Sequence, residues 1–253
     1  MLRRRQSRLT ATAAQLLYPQ YCLLCGEMGT QLVCPRCAEE LERVAGPICP
    51  RCGKPLKTGV PRATCLHCEG RKWYVERSRS LFRHEGQARD LLHRFKYGRV
   101  RGLARFFGEQ IARAYPGRAG LAAHFGWDLG DEPQVLVPLP LHFLRRAVRG
   151  FNQSELVLKF CCERLELPVD TALLRRRRNT LAQTRLSMRQ RFDNMRNAFV
   201  VPRRVKERVE GRRVLLFDDI ITTGATANAA ARALKQAGAS KVYALSLSVA
   251  TLK

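Results

Sequence analysis

Four Cys-x-x-Cys pairs, all within residues 22–68, constrain this chain more than any other feature. The eight cysteines are Cys22, Cys25, Cys34, Cys37, Cys49, Cys52, Cys65 and Cys68. Each pair can offer two thiolates to a tetrahedral zinc ion, so together they predict two zinc ions. Protein sulfur then fills every coordination position, which indicates structural rather than catalytic metal. Spacing alone leaves both sequential and cross-braced pairing of the motifs open.

The segment 21–70 has too few apolar residues for a core of its own, so metal has to stabilise it. We therefore divide the chain into a short N-terminal helix within residues 1–20, a double zinc ribbon at 21–70 and a main domain at 71–253. His67 lies between two predicted ligands, and we expect it to be solvated. Disulfides are the alternative use of these cysteines and would require an oxidising compartment.

The predicted location is the cytoplasm, with reduced thiols. Residues 1–8 are basic, but the segment that follows lacks the continuous apolar stretch of a signal peptide. No stretch approaches the roughly 18 apolar residues of a membrane-spanning helix. The sequence therefore predicts no membrane span.

The chain carries a formal net charge of +25, from 46 Lys and Arg against 21 Asp and Glu. Such an excess favours binding to polyanions whatever the fold. It concentrates in residues 140–213, where nineteen basic and seven acidic residues give a net charge of +12. Within this region we name residues 174–213 the basic hood, and its four consecutive arginines, Arg175, Arg176, Arg177 and Arg178, are candidates for contact with a polyanion such as nucleic acid. A lid over a smaller ligand is the competing interpretation.

Hydrophobic periodicity predicts an α/β main domain. Strands are expected at 77–82 and 135–137, helices at 87–96, 102–115 and 151–165, and an irregular connection at 116–133. The strand 214–217, the helix 227–237 and the strand 242–250 form a βαβ unit, which predicts a parallel sheet flanked by helices.

The segment 214–226, VLLFDDIITTGAT, places two carboxylates at the end of a buried strand, followed by a small-residue turn that opens a helix. Amide groups at a helix start and threonine hydroxyls can hold a phosphate, which identifies Thr222, Thr223, Gly224, Ala225 and Thr226 as candidates. Asp218 and Asp219 would repel that phosphate and instead suit ribose hydroxyls and, through water, Mg²⁺. The alternative is an ordinary helix cap by Thr222 or Thr223.

These residues resemble the motif of type I phosphoribosyltransferases that binds phosphoribosyl pyrophosphate (PRPP), and their surroundings resemble the ComF (competence protein F, GntX-like) family. The supporting segments are 95–98, 137–142 and 150–153, and hood residues Thr180, Gln183, Leu186, Arg191, Asn194, Ala198 and Phe199. The resemblance implies a phosphoribosyltransferase-like sheet behind a double zinc ribbon. Phe143 departs from the family, which usually has proline there.

By this resemblance, Asp218 and Asp219 are the catalytic residues, and Lys96, Arg145, Arg146 and Arg149 bind pyrophosphate with Mg²⁺. The implied partners are PRPP or a related ligand, single-stranded DNA and DNA-uptake machinery. The alternative function is an active salvage phosphoribosyltransferase for nucleobases or nucleosides. No acceptor-specific residue is identifiable from the sequence, so whether the protein is an enzyme stays open.

Overall fold

The computed structural model describes residues 20–56, 65, 67–128, 130–178 and 187–251. The short helix predicted within residues 1–20 lies outside this set, and Gln20, the last residue of that segment, belongs to a strand. The strands are β1 Gln20–Tyr21, β2 Met28–Gly29, β3 Ser78–Arg83, β4 Val135–Pro138, β5 Arg175–Arg176, β6 Phe199–Val200, β7 Arg213–Ile221 and β8 Lys241–Val249. The helices are Pro35–Glu39, Gly86–Tyr97, Leu103–Ala114, Gly117–Phe125, Phe143–Arg149, Gln153–Leu158, Cys162–Leu165, Met188–Met195 and Ala225–Gln236, with a 3-10 helix at Arg203–Arg208.

The main domain is built on a parallel sheet with the strand order β3, β8, β7, β4. Successive residues of β7 point to opposite faces, so Leu215 and Phe217 join one apolar core while Val214 and Leu216 join the other. The first core packs against helices such as Leu103–Ala114, and the second against Ala225–Gln236. The predicted α/β fold, a parallel sheet flanked by helices, is confirmed.

The connection predicted at 116–133 is wrong in part, because it contains the helix Gly117–Phe125. Leu121 and Phe125 lie one helical turn apart, and both are fully buried in the first core. A left-handed residue, Gly126, ends the helix. Two of the four glycines in this segment, Gly117 and Gly120, lie within the helix, and burial of two large side chains outweighs their poor helix propensity.

The helix predicted at 151–165 is also corrected, because it begins later and is interrupted. Asn152 accepts a hydrogen bond from the backbone N–H of Ser154, so the helix begins at Gln153. It breaks between Leu158 and Cys162, where Phe160 packs closely against Gly108 of a neighbouring helix. The break is therefore set by a tertiary contact.

The basic hood has regular structure despite its lack of a long sequence period. Strands β5 and β6 pair in antiparallel fashion, and Ser187 caps the helix Met188–Met195 with its side chain. Residues 179–186, which include Thr180 and Gln183, lie outside the described part of the chain. The hood therefore contains a two-stranded ribbon and a short helix.

The N-terminal module is joined to the main domain by apolar contact. Val33, Ala38 and Leu41 are buried in the same core as Leu91 and Phe95 of the main domain. The module therefore shares a core with the sheet and its helices. No helix in the described part of the chain is long and apolar enough to cross a membrane.

Candidate functional site

A cleft of about 840 Å³ lies at the carboxyl ends of β4 and β7. This is where open parallel sheets usually bind ligands. Of the residues predicted from the sequence to form the site, the cleft is lined by Asp218, Asp219, Thr222, Gly224, Thr226, Lys96, Arg145 and Arg149. The structure thus brings together residues from three separate segments of the chain.

The loop after β7, residues 222–226, carries the predicted phosphate-binding residues, and we name it the phosphate loop after that prediction. Thr222 and Thr226 face the cleft, whereas Thr223 and Ala225 are buried behind it. Gly224 has a φ of 76°, and a side chain added there would lie 2.7 Å from the ring of Trp73. Both the backbone conformation and the close ring therefore require glycine. The helix Ala225–Gln236 starts directly after it, so its first amide groups and its positive end lie at the cleft.

The two aspartates are adjacent in β7, which extends to Ile221 rather than ending at 217 as the sequence predicted. Asp219 forms an ion pair with Lys96 at 2.9 Å, and both side chains are largely buried. Burial raises the pKa of Asp218 to about 7; the neighbouring Asp219 adds to this rise, and Lys96 opposes it. Ionising Asp218 is therefore unfavourable unless a cation or a hydrogen-bond donor approaches it.

Arg145, Arg149 and Arg176 also line the cleft, and we name these three residues the arginine wall. Burial lowers the pKa of Arg145, and the positive charge of Arg149 lowers it further. Burial also lowers the pKa of Arg176 to about 10; Arg145 adds to this effect, and Asp218 opposes it. Partly buried like charges of this kind favour an anionic ligand.

Arg146 is the one predicted pyrophosphate residue that does not line the cleft. Its side chain is 61% exposed and lies 3.5 Å from the carboxylate of Glu155. The reason is the periodicity of the helix Phe143–Arg149, because Arg145 and Arg149 are four residues apart and share a face that Arg146 does not.

The four hood arginines predicted to contact DNA also separate. Arg175, Arg177 and Arg178 are exposed, whereas Arg176 lines the cleft and packs over the ring of Phe199. Alternation along β5 explains the difference between Arg175 and Arg176. Sequence proximity grouped them, but strand geometry directs one into the cleft.

Several cleft residues were not predicted from the sequence: His84, Arg89, His93 and Ser154. Arg89, His93 and Lys96 lie at helical spacing on one face of Gly86–Tyr97, which is a signal the sequence did contain. His84 follows β3, and its Nδ1 lies 3.2 Å from the Oγ of Ser248. Its position depends on the pairing of β3 with β8, which the sequence does not reveal.

The eight cysteines form two clusters in sequential pairing, Cys22, Cys25, Cys34 and Cys37, and Cys49, Cys52, Cys65 and Cys68. The sulfurs of Cys25 and Cys34 are 3.8 Å apart, and those of Cys49 and Cys68 are 3.9 Å apart. Four sulfurs at about 2.3 Å from a tetrahedral zinc ion are separated by about 3.8 Å. Both clusters therefore fit structural zinc, and the sequential alternative is the correct one.

His67 is not the solvated residue that the sequence suggested. Its side chain is buried, and its Nε2 lies 2.7 Å from the backbone oxygen of Thr223 in the phosphate loop. A carbonyl can only accept, so Nε2 carries the hydrogen. The expectation was wrong because the partner is 156 residues away in sequence.

Comparison with known proteins agrees with this architecture. Residues 13–69 match the double zinc ribbon domain, and residues 152–248 match the phosphoribosyl transferase domain. Competence protein ComFC of Bacillus subtilis is 31% identical over 218 residues, which cover 81% of this chain and 79% of that protein. DNA utilization protein YhgH of Salmonella typhi is 31% identical over 236 residues, which cover 90% of this chain and 96% of that protein. Competence protein F of Haemophilus influenzae is 34% identical over 110 residues, which cover 44% of this chain and 48% of that protein.

We expect freshly purified, reduced protein to contain about two zinc ions per chain, because each cluster supplies a complete tetrahedral ligand set. Replacing Cys49 and Cys52 together by serine should reduce the content to about one. Metal analysis checks both values. A content below one ion per chain in the unmodified protein would contradict the metal assignment.

We expect Asp218 to destabilise the ligand-free protein progressively as the pH rises. Its pKa in the folded state, about 7, exceeds the usual 3.8, so the folded state binds the proton more tightly and stability is lost between these values. Asp218→Asn should remove this loss and raise the unfolding midpoint at about pH 8 by at least ~2–4 °C. Thermal unfolding without Mg²⁺ from about pH 5 to 8 measures the change in this midpoint. The control is Asp193→Asn, at an exposed position. A difference between Asp218→Asn and the unmodified protein that does not vary with pH would contradict this assignment.

Proposed function

The chain belongs to the ComF family of competence and DNA utilization proteins, and from this premise we propose that it binds PRPP or a related phosphoribosyl ligand and handles single-stranded DNA in DNA uptake. The observation that carries the proposal is the charge arrangement of the cleft. The phosphate loop, two aspartates and the arginine wall line one cleft, and burial and the positive charge of Arg149 lower the pKa of both Arg145 and Arg176. PRPP has a phosphate, ribose hydroxyls and a pyrophosphate in that order.

Each part of the cleft suits one part of this ligand. Thr222 and Thr226, with the amides at the start of the following helix, would hold the 5-phosphate. Asp218 and Asp219 would accept hydrogen bonds from the ribose hydroxyls. Lys96, Arg145 and Arg149 would hold the pyrophosphate, and we add Arg176 to this group because it lines the same wall. Arg146 points outward and is more suitable for contact with a larger polyanion.

Mg²⁺ bound with the pyrophosphate would neutralise part of its charge, and the carboxylates of Asp218 and Asp219 are suitable to reach it through water. Transfer of the ribosyl group passes through a state with positive charge at the sugar. Two carboxylates beside the ribose would stabilise that charge, and the arginines would stabilise the departing pyrophosphate. The same side chains therefore serve binding alone or binding with turnover.

The salvage transferase remains the second candidate function. Imidazole side chains that could hydrogen-bond an acceptor base are available at His84 and His93, which line the cleft. Pyrophosphate release from PRPP, measured over a panel of bases and nucleosides, decides this question. Release that depends on one acceptor would favour the salvage enzyme, whereas PRPP binding without release would favour the role in DNA uptake.

Single-stranded DNA is proposed to bind outside the cleft, on the exposed face of the hood and on the cleft rim. Arg175, Arg177 and Arg178 supply exposed positive charge. Phe192 and Phe199, the aromatic residues of the hood, pack inside the protein. Exposed rings and apolar side chains occur instead along the rim, at Tyr97, Phe143, Leu144 and Val148. Bases can stack there without sequence preference.

DNA-uptake machinery is the class of protein partner that we propose, by analogy with the competence proteins. We also propose a cytoplasmic location, because eight cysteines grouped for zinc binding require reduced thiols. Neither proposal depends on whether PRPP is turned over.

We expect Asp218→Asn with Asp219→Asn to preserve the fold and abolish PRPP binding. Asparagine keeps the size of each side chain but removes the charge that acts on Lys96 and on the ligand-bound cation. Calorimetric titration with PRPP and Mg²⁺ measures binding, and circular dichroism checks the fold. The exposed Asp193→Asn is the matched control and should bind normally. Undiminished binding by the double variant would show that these carboxylates do not contact the ligand.

We expect replacement of Arg175, Arg177 and Arg178 by glutamine to flatten the log–log salt dependence of binding to oligothymidylate by up to about 2 units. Each phosphate contact on a single strand contributes about 0.7 to this slope. Fluorescence anisotropy over a salt series measures it.

The matched control for this DNA experiment removes the same charge elsewhere, from Arg105, Arg113 and Arg118 on the helices Leu103–Ala114 and Gly117–Phe125. Arg176→Gln should weaken PRPP binding and leave the DNA slope nearly unchanged. Equal slopes for the two triple variants would contradict a DNA contact by the hood. Loss of PRPP binding in the hood triple variant would favour the lid interpretation.

A further inference from the structure

The second cysteine cluster is connected to the phosphate loop through His67. This residue immediately precedes the ligand Cys68, and its imidazole donates to the carbonyl of Thr223 at 2.7 Å. His67 and Thr223 are 6% and 2% exposed, so water does not compete for this bond. Without this donor, the buried Thr223 carbonyl would lose its hydrogen bond to His67. Leaving a buried carbonyl unpaired costs more free energy than an average hydrogen bond contributes.

Trp73 forms a second connection between the cluster and the loop. Its indole N–H donates to the backbone oxygen of Cys68 at 3.2 Å, and its ring lies directly behind Gly224. Phe192 of the hood packs edge-on against the same ring at 5.9 Å between centroids. Trp73 therefore fixes the back of the loop, on the side away from the cleft.

Asn228 connects the first turn of the helix Ala225–Gln236 to residues 72–74, which follow the second cysteine cluster. Its side-chain amide donates to the carbonyl of Lys72 at 3.1 Å, and its side-chain oxygen accepts from the N–H of Tyr74 at 2.6 Å. On the other side, the buried Lys54 donates to the carbonyl of Ala250 at 2.9 Å. Ala250 in turn donates its N–H to Ile221, where the loop begins.

The first cluster occupies a different environment. Cys22 and Cys37 belong to the core on the opposite face of the sheet, together with Leu91 and Phe95. Cys49, Cys52 and Cys68 form a separate small cluster into which Trp73 packs. The two metal sites, alike in ligands, therefore differ in what they support.

We propose that the second cluster, through the positioning residues His67 and Trp73, holds the phosphate loop in the shape that binds the 5-phosphate. This inference rests on the proposed function of the loop. Hydrogen bonds reach Ile221, Thr223 and Asn228, and the Trp73 ring lies against Gly224, so these contacts bracket the predicted phosphate site. The second ribbon thus acts as part of the ligand site without touching ligand.

The test separates the two ends of the ligand. Ribose 5-phosphate probes the loop, and inorganic pyrophosphate with Mg²⁺ probes the arginine wall, each by calorimetric titration. His67→Leu should weaken ribose 5-phosphate binding on the order of tenfold, the effect of one buried hydrogen bond, and leave pyrophosphate binding unchanged. His67→Gln should restore it, because the glutamine amide can donate to Thr223.

Two further measurements distinguish positioning from general damage. Zinc content should stay at the wild-type value in both His67 variants, and His124→Leu, in a helix outside the cleft, should bind both probes normally. If His67→Leu does not fold, Trp73→Phe decides, because it keeps an aromatic ring but removes both the indole N–H and the far edge of the ring that lies behind Gly224. Selective weakening of ribose 5-phosphate binding by Trp73→Phe would support the proposal.

Equal loss of both probes, unchanged affinity for both, or failure of His67→Gln to restore binding would overturn the positioning role. Failure of the unmodified protein to bind ribose 5-phosphate and PRPP at all is a different result. It would refute the proposed function of the loop, on which the inference rests.

Discussion

The pairing of β7 on both sides within the parallel sheet is the constraint on which the rest of the structure depends. Val214 is opposite Val135 of β4 and Val242 of β8, and the register with β8 continues to Ile221. This double pairing fixes the backbone that carries Asp218 and Asp219 and determines where the phosphate loop begins. A side chain on so rigid a strand can be held in place before any ligand arrives.

The cleft shows how charge is arranged at the expense of stability. Burial and the neighbouring Asp219 raise the pKa of Asp218. Burial and the neighbouring Arg145 lower the pKa of Arg176. Neither group lies in the environment that best stabilises its charge. Lys96 compensates one carboxylate by its ion pair with Asp219, and burial and repulsion from Arg149 lower the pKa of Arg145. A polyanionic ligand would relieve this repulsion, which is a reason for such a site to persist.

The zinc ribbons are integrated into the main domain rather than tethered to it. The first contributes to the core on one face of the sheet, and the second reaches the phosphate loop through His67 and Trp73. Metal that stabilises a segment too poor in apolar residues to fold alone can thereby stabilise the neighbouring site as well. This arrangement explains why His67 and Lys54 make their hydrogen bonds across the boundary between the two parts.

The sequence by itself determined the eight zinc ligands, the α/β fold and the loop after β7, because each depends on residues close together in the chain. The sequential grouping of the cysteines into two sites was decided by the structure. It did not determine which hood arginine enters the cleft, since the direction of Arg176 follows from the pairing of β5 with β6. It also missed the helix Gly117–Phe125, whose formation depends on burial of Leu121 and Phe125 against distant elements. The role of His67 was decided by tertiary structure alone. Its partner Thr223 is 156 residues away, and no local pattern can encode a hydrogen bond that exists only after the sheet and the ribbon have packed together.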